Sequence, residues 1–278
     1  MHKAGFVNIV GNPNVGKSTL MNQLVGEKLS IATFKAQTTR HRIMGIVNTE
    51  DTQIVFSDTP GVLKPNYKMQ EMMLQFSESA LADADILLYV TDVVEDPEKN
   101  MDFLEKVSKM SIPVILLINK IDESDQKTLG NLVTKWHGLL PNAEILPISA
   151  KNKFGVDILL KRVHELLPES PAFFDKDQLT DKPAKFFVSE IIREKILRYY
   201  DKEIPYSVEV VIERFKEDDR QIHISAIIYV ERSSQKGIII GHQGMALKKV
   251  STEARKSLER FFDKKIFLET FVKVDKDW

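Results

Sequence analysis

The 278-residue chain contains no cysteine, and this absence excludes disulfide bonds and metal sites built from thiolates. Long apolar runs are also missing: a run such as Ile86–Val90 is far shorter than the roughly 20 residues that a membrane-spanning helix needs. The predicted first strand, Phe6–Val10, begins so early that it leaves no room for a signal peptide. These absences fit a protein of the reducing cytosol.

The net charge of −1 conceals a difference between the two parts of the chain. Residues 1–182 have 20 Lys+Arg against 24 Asp+Glu, whereas residues 183–278 have 19 against 16. In the second part, basic residues are concentrated between Arg232 and Lys256. Such a patch is typical of a nucleic-acid contact, but a solvated helix face gives the same pattern. Charge alone leaves both interpretations open.

The first 168 residues alternate strand-like apolar runs with helical patterns. Near-continuous apolar runs indicate strands buried on both faces, as in a mostly parallel sheet flanked by helices, where ligands bind beyond the carboxyl ends of the strands. The predicted strands are Phe6–Val10, Thr52–Ser57, Ile86–Thr91, Val114–Asn119 and Glu144–Ile148, and the predicted helices include Met69–Ala82, Asn100–Lys109 and Val156–Leu167.

A polar stretch with several prolines separates this part from a second pattern. We predict a first domain over residues 1–170, a linker over 171–183 and a second domain over 184–278. The elements predicted for the second domain are a short strand (Lys185–Val188), a helix through Ile191 and Tyr199, paired strands (Ser207–Phe215 and Gln221–Glu231), a helix from Leu247 to Phe261 and a last strand (Lys265–Val274).

A glycine-rich loop joins the first strand to a helix and matches the phosphate-binding pattern G-x-x-x-x-G-K-[ST]. We expect its N–H groups to face phosphate oxygens, Lys17 to contact the β- and γ-phosphates, and the Ser18 hydroxyl to bind Mg²⁺. At this point ATP and GTP are equally compatible. The residues predicted to contact nucleotide here are Gly11, Asn12, Pro13, Asn14, Val15, Gly16, Lys17, Ser18 and Thr19.

Three further motifs follow predicted strands of the same sheet. Asp58 is expected to hold Mg²⁺ through water and the Gly61 N–H to donate to the γ-phosphate, although this motif alone would suggest an ordinary turn. The Asp122 carboxylate can accept hydrogen bonds from two guanine donors that adenine lacks, and the Ala150 N–H is expected to bind the guanine carbonyl. The four motifs together predict GTP binding and hydrolysis. The residues added to the site are Asp58, Thr59, Pro60, Gly61, Val62, Asn119, Lys120, Ile121, Asp122, Ser149, Ala150 and Lys151.

With Gln37–Arg40 as a first switch, the full chain resembles the Era family of ribosome-associated GTPases, of the TrmE-Era-EngA type with a C-terminal KH domain. The resemblance implies a P-loop GTPase domain followed by an α+β type II KH domain. It implies that Thr39, with Thr38 as second choice, closes over Mg²⁺ beside Ser18 and Asp58. Lys17, Thr39, Asp58, Gly61 and Asn14 would then form the catalytic set.

Two residues bear on the rate of hydrolysis. Val62 stands where many regulatory GTPases have a water-orienting glutamine, so we expect slow intrinsic turnover. Asn14 matches the asparagine that holds K⁺ in potassium-stimulated relatives, and shaping the loop is the alternative role for it.

In the second domain, Gly241–Gly244 fits the G-x-x-G loop of KH domains, which clamps the backbone of about four single-stranded nucleotides. Such a loop is often only a turn, but the nearby lysines and the preceding GTPase favour RNA binding. His242-Gln243 departs from the family's usual basic residue and contributes less charge. The predicted RNA contacts are Ile240, Gly241, His242, Gln243, Gly244, Lys248 and Lys249.

The resemblance implies a cytoplasmic, monomeric ribosome-assembly factor that binds GTP, GDP and Mg²⁺, with K⁺ as a further candidate. Its implied partner is 16S rRNA near the 3′ end, within the 30S subunit. The resemblance also implies a peripheral membrane contact as a candidate. Two alternatives are a constitutive RNA-binding protein whose nucleotide is structural, and a membrane-surface GTPase whose basic helix contacts lipid.

Overall fold

The computed structural model describes residues 1–33, 35 and 38–275, and the chain divides into two compact units between Asp181 and Lys182. In the described part of the first unit, a six-stranded sheet has the order β2-β3-β1-β4-β5-β6, and only the β2–β3 pair is antiparallel. Its strands are β1 (Lys3–Gly11), β2 (Ile43–Asn48), β3 (Thr52–Asp58), β4 (Ile86–Asp92), β5 (Val114–Asn119) and β6 (Glu144–Pro147). Its helices are α1 (Lys17–Val25), α2 (Lys68–Ala82), α3 (Met101–Ser108), α4 (Gln126–Leu139) and α5 (Val156–Leu166).

The mostly parallel sheet flanked by helices is confirmed, with each predicted strand in place. Strands β3 and β4 are buried along their whole length, as their continuous apolar sequences indicate. Gly11, Asp58 and Asn119 are the last residues of β1, β3 and β5. Because parallel strands end at one edge of the sheet, the fold brings three of the four motifs to the same place.

The residues just before the unit boundary are attached to the first unit. The Phe173 ring lies 4.9 Å from that of Phe6, and the Gln53 side chain bonds to the backbone of Phe174. Further along, the Ile46 N–H donates to the Leu179 carbonyl at 2.8 Å. Much of the stretch predicted as a linker therefore has bonded partners, and the domain boundaries themselves stay a prediction.

The second unit packs helices on a three-stranded sheet of order β7-β8-β9, in which β7–β8 is antiparallel and β8–β9 parallel. Its core joins Val188, Ile192 and Ile196 to Ile224 and Leu258. The elements are α6 (Ala184–Tyr199), β7 (Val208–Glu217), β8 (Gln221–Val230), α7 (Ser233–Ile240), α8 (Met245–Phe262) and β9 (Lys265–Val274).

One prediction for this unit is corrected, and one helix is added. Lys185–Val188 is not a strand but the first turn of α6, because Val188, Ile192 and Ile196 recur at a helical spacing and enter the core together. The run Ile238-Ile239-Ile240 ends helix α7, in which Ile239 is buried while Ile238 is 50% exposed. Among the described residues, none of the helices combines the length and apolar character required to cross a bilayer.

Candidate GTP site and nucleic-acid interface

The phosphate loop curls between β1 and α1 through positive backbone angles. Gly11, Asn14 and Gly16 have φ values of 146°, 67° and 97°, which glycine tolerates and asparagine adopts more readily than most residues. A side chain at Gly16 would collide with the Asn119 amide, and one at Gly11 with the Val90 carbonyl. The loop therefore brings its backbone close to the neighbouring strands and directs the N-terminus of α1 towards the cleft.

Lys17 is buried in this loop. Its ammonium donates to the carbonyls of Gly11 at 3.0 Å and Asn12 at 2.8 Å. Burial lowers the pKa of Lys17 to about 8, although the negative charges of Asp58 and Glu95 oppose the shift. A bound phosphate would supply the anionic partner that a desolvated ammonium needs.

Three oxygen-bearing side chains meet beside Lys17. The Ser18 hydroxyl donates to Asp58 Oδ2 at 2.7 Å and lies 2.9 Å from the Thr39 hydroxyl. Asp58 is buried, and this burial raises the pKa of its carboxyl against the opposing charge of Lys17. Its Oδ1 atom receives no hydrogen bond of good geometry from the described residues. A buried carboxylate oxygen with an open lone pair, next to two hydroxyls, fits the hard oxygen ligation of Mg²⁺.

The structure distinguishes the two threonines of the first switch. The Thr38 hydroxyl donates to the Lys35 carbonyl at 2.5 Å and lies 2.7 Å from the Thr33 hydroxyl, so it is directed away from Ser18. Thr39 alone of the pair contacts Ser18. The geometry favours Thr39 over Thr38 as a metal ligand. Gln37, which also belongs to the predicted switch, lies outside the described residues.

The second switch, which we define as Asp58–Val62, contacts the phosphate loop. The Val62 N–H donates to the Gly11 carbonyl at 3.0 Å, and a side chain at Gly61 would approach Pro13 within 2.7 Å. The Thr59 hydroxyl donates to the Ile9 carbonyl, which ties the motif to β1. The Val62 side chain is 3% exposed and packs in the core, so it does not reach a water molecule in the cleft.

Asn119 joins the loops predicted to read the base. Its amide donates to the Val15 carbonyl at 2.8 Å and accepts from the Ala150 N–H at 2.9 Å. The Ser149 hydroxyl donates to Asp122 Oδ1 at 2.5 Å, and this bond lowers the pKa of the exposed Asp122 carboxyl. That carboxylate is thus ionised and available as an acceptor. The Ala150 N–H, predicted to bind the guanine carbonyl, donates to Asn119 in this structure, and its contact with guanine stays a prediction.

The phosphate end of the site lines one polar cleft of about 400 Å³. The described residues around it include Pro13, Asn14, residues 16–19, Thr38, Thr39, Gly61 and Lys120, whereas Asp58, Asn119 and Asp122 are not part of its lining. Two residues that support this cleft were not predicted from the sequence. Lys120 forms an ion pair of 2.6 Å with Asp92, and Asn100 donates to both Asn12 and Val62. The only sequence signals for them are that Asp92 ends an apolar strand and that Asn100 precedes a helix.

In the second unit, the G-x-x-G loop connects α7 to α8. Gly241, Gln243 and Gly244 have φ values of 70°, 50° and 75°, and a side chain at Gly241 would meet Ala246 at 2.6 Å. The predicted contact residues His242, Gln243, Lys248 and Lys249 are exposed. Beside them, Ile238 and Met245 are 50% and 59% exposed, and sequence analysis did not select either. In a KH domain the glycine loop holds the sugar-phosphate backbone of the RNA. Exposed apolar side chains beside the loop are then suited to contact the bases.

Comparisons with known proteins decide the family. Residues 6–120 match the model of the 50S ribosome-binding GTPases, and residues 203–278 match the KH domain. GTPase Era of Clostridium kluyveri is 44% identical over 280 aligned residues, with 100% of this chain and 96% of that protein covered. GTPase Era of Geobacter sp. strain M21 is 46% identical, with 99% and 94% covered. The chain belongs to the Era family of GTPases.

Solved Era structures agree with this assignment. A crystal structure of Era in complex with MgGDPNP and nucleotides 1506–1542 of 16S ribosomal RNA is 38% identical with a TM-score of 0.94, covering 100% of this chain and 95% of that one. A variant of Aquifex aeolicus Era bound to GDP·AlF₄⁻ gives the same identity and score, covering 99% and 95%. The predictions of a GTPase enzyme and of a P-loop domain followed by a KH domain are confirmed.

Proposed function

We propose that this Era-family GTPase binds 16S rRNA near its 3′ end through the KH unit and acts in assembly of the 30S subunit. The observation that carries the proposal is the Gly241–Gly244 loop with its exposed His242 and Gln243, in a chain similar over its whole length to an Era that holds MgGDPNP and nucleotides 1506–1542 of 16S rRNA. Two lysines on the first turns of α8, Lys248 and Lys249, add positive charge beside the loop.

For the nucleotide, we propose that Lys17 holds the phosphates and that Ser18, Thr39 and Asp58 hold Mg²⁺. The metal supplies charge neutralisation at the phosphoryl oxygens. Asp122, kept ionised by Ser149, accepts the guanine N–H donors, and the Gly61 N–H donates to the γ-phosphate. The remaining residues of the four motifs shape the cleft around GTP or GDP.

We further propose slow hydrolysis, because the side chain at Val62 is buried and offers no group to orient water. K⁺ bound near Asn14 would supply part of the missing positive charge. Asn14 is exposed at the cleft with a left-handed backbone, which supports either this role or a role in loop shape. If hydrolysis has the same rate in saturating Na⁺ and in saturating K⁺, the K⁺-binding role is excluded and Asn14 only shapes the phosphate loop.

The RNA site is tested by placing glutamate at both Gly241 and Gly244. We expect an oligonucleotide with the sequence of nucleotides 1506–1542 to lose binding by fluorescence anisotropy, while GTP affinity stays unchanged. The matched control is Gly130→Glu with Gly138→Glu on α4, where added side chains meet nothing within 4 Å. Since the positive φ angles strain any side chain in the loop, His242→Glu with Gln243→Glu repeats the test on exposed positions. RNA binding that survives both pairs would move the site elsewhere.

The two alternatives are separable. A structural nucleotide would give no single-turnover hydrolysis, whereas the family assignment requires it. A lipid-binding α8 is disfavoured because Val250, Ala254 and Leu258, its apolar stripe, are buried in the core. We propose a cytoplasmic monomer, in which any peripheral membrane contact would use another surface. Co-sedimentation with anionic vesicles that Lys248→Glu abolishes would contradict the assignment of α8 to RNA.

A further inference from the structure

Asn100 occupies the N-cap position of α3 but does not cap that helix. Asparagine is among the preferred N-cap residues because its side chain can accept from the first N–H groups. Here no such bond forms. Instead, its amide nitrogen donates to the Asn12 side-chain oxygen and, at 3.1 Å, to the Val62 carbonyl. The side chain thus joins the phosphate loop to the second switch.

A second group of polar contacts lies beside Asn12. The Glu95 carboxylate accepts from the Thr91 hydroxyl at 3.1 Å, and its pKa, raised by burial, is lowered in part by the nearby Asn12 side chain. The Glu95 N–H donates to Asp92 Oδ1 at 2.9 Å, and Asp92 Oδ2 pairs with Lys120 at 2.6 Å. Because the Val62 carbonyl can only accept, the Asn100 nitrogen must face it, and the Asn12 oxygen then accepts from the same nitrogen.

The Val62 peptide is held on both sides by these contacts. Its N–H donates to the Gly11 carbonyl at 3.0 Å, and its carbonyl accepts from Asn100. Because the Val62 side chain is buried, any contribution of residue 62 to hydrolysis must come from its backbone. Asn100 therefore helps to hold the Gly61–Val62 backbone in place, together with the Gly11 carbonyl.

We propose that Asn100 is a positioning residue for GTP hydrolysis. It acts through Val62 and Asn12, fixing the second switch against the phosphate loop so that the Gly61 N–H is aligned in the transition state. The proposal rests on the proposed place of the γ-phosphate beside Gly61 and is independent of RNA binding. Since Asn100 does not line the cleft, its removal should spare nucleotide affinity.

The test is Asn100→Asp, which keeps the size of the side chain and its capacity to cap α3 but removes both N–H donors. If the transition state loses the net stabilisation of about one hydrogen bond, single-turnover hydrolysis should become about tenfold slower. GTP and GDP affinities should change by less than about twofold, since only interactions stronger in the transition state alter the rate. The matched control is Asn142→Asp in an exposed turn, which should match the parent in every measurement.

Asn100→Ala provides a second variant without added charge, and it decides the question if the aspartate variant does not fold. The same separation of rate from affinity is expected. An unchanged rate in Asn100→Ala would overturn the proposal. So would a rate, a nucleotide affinity and a melting temperature that all fall together, because that pattern indicates a structural residue. Loss of GTP binding in the unmodified protein would instead count against the proposed cleft.

Discussion

Lys17 and Asp58 show how burial prepares a residue for a charged ligand. Both side chains are buried, and burial favours their neutral forms: it lowers the pKa of Lys17 and raises the pKa of Asp58. Each offsets part of the other's cost through their mutual attraction. The phosphates would offset the remaining cost of burying the Lys17 charge, and the metal would do the same for Asp58. Binding energy is therefore concentrated at the reacting end of the nucleotide.

The first prediction concerns pH. Lys17 has a pKa of about 8 in the free protein, and the phosphates bind its protonated form, which raises that pKa in the complex. GDP affinity in metal-free buffer should therefore be constant below about pH 8 and weaken by up to about tenfold per unit above it. Binding near pH 8.5 should take up a proton, measurable by calorimetry in buffers of different protonation enthalpy. In Lys17→Arg, whose guanidinium stays charged, proton uptake should vanish. An absence of uptake in the parent would contradict the assignment.

The second prediction concerns the choice of base. Asp122→Asn replaces an acceptor with a group that also donates, so the two guanine donors lose a partner. GTP affinity should fall by about tenfold or more, and xanthosine triphosphate, which has a carbonyl at the same ring position, should bind better than to the parent. Competition against a fluorescent GDP analogue measures both. ATP competing on even terms with GTP in the parent would refute guanine recognition by Asp122.

At the scale of elements, apolar runs and short motifs predicted most of the first unit, because buried parallel strands have continuous apolar sequences. Strand β2 was missed. It pairs antiparallel at the edge of the sheet, and Gly45 at its centre admits the side chains of Met21 and Val25 from α1. From sequence alone, a glycine argues against a strand. Here the close approach of α1 explains why glycine occupies this position, and that approach is visible only in the structure.

The same reasoning explains what the sequence could not predict of the site. Lys17, Ser18 and Asp58 belong to motifs, and the structure brings them together. Asn100 lies outside every motif, and its value depends on an amide oxygen 88 residues away in sequence. Such long-range polar contacts follow from packing rather than from local pattern. Helix α7 was also not predicted for this reason: packing against the core of the second unit decides which face of Ser233–Ile240 is buried.

The third prediction concerns the anchoring of α7. The Tyr200 hydroxyl donates at 2.7 Å to the carbonyl of Ile239, in the last turn of the helix that leads into the G-x-x-G loop. Carbonyls of a last turn lack helical partners, so this bond satisfies a buried acceptor. Tyr200→Phe should lower the free energy of unfolding by about 1–2 kcal/mol in denaturant titrations. Tyr199→Phe, which keeps the ring below Lys249, is the control and should have a smaller effect. Equal effects would argue against the tether.

At the scale of the whole molecule, the two proposed activities reside in different compact units. The unit with the phosphate loop is net negative, whereas the unit with the G-x-x-G loop is net positive, which suits the second for RNA. A GTPase switch affects RNA binding only if the two sites share a coupling free energy, and that coupling is necessarily reciprocal.

A continuous path for such coupling begins at the first switch. Thr39 is followed within a few residues by β2, and β2 is bonded to the segment that ends the first unit. The Thr180 hydroxyl donates to the Met44 carbonyl at 2.6 Å, and the Met44 N–H donates to Asp181 at 2.9 Å. Helix α6 of the second unit begins at Ala184. A movement of the first switch therefore has a direct covalent and hydrogen-bonded route to the start of the second unit.

The fourth prediction tests this route. In the unmodified protein, affinity for the 1506–1542 oligonucleotide should differ about fivefold or more between a GTP analogue and GDP, a typical coupling between sites. Thr180→Val removes the hydroxyl that bonds β2 and should bring this ratio towards one, without altering nucleotide affinity in the absence of RNA. Thr134→Val on α4, whose hydroxyl donates at 3.1 Å to the Gly130 carbonyl of the same helix, is the matched control and should keep the ratio. Equal RNA affinity with both nucleotides in the parent would remove the coupling itself. A parental ratio in Thr180→Val would show that the signal takes another path, since the switch and the second unit would then communicate without this bond.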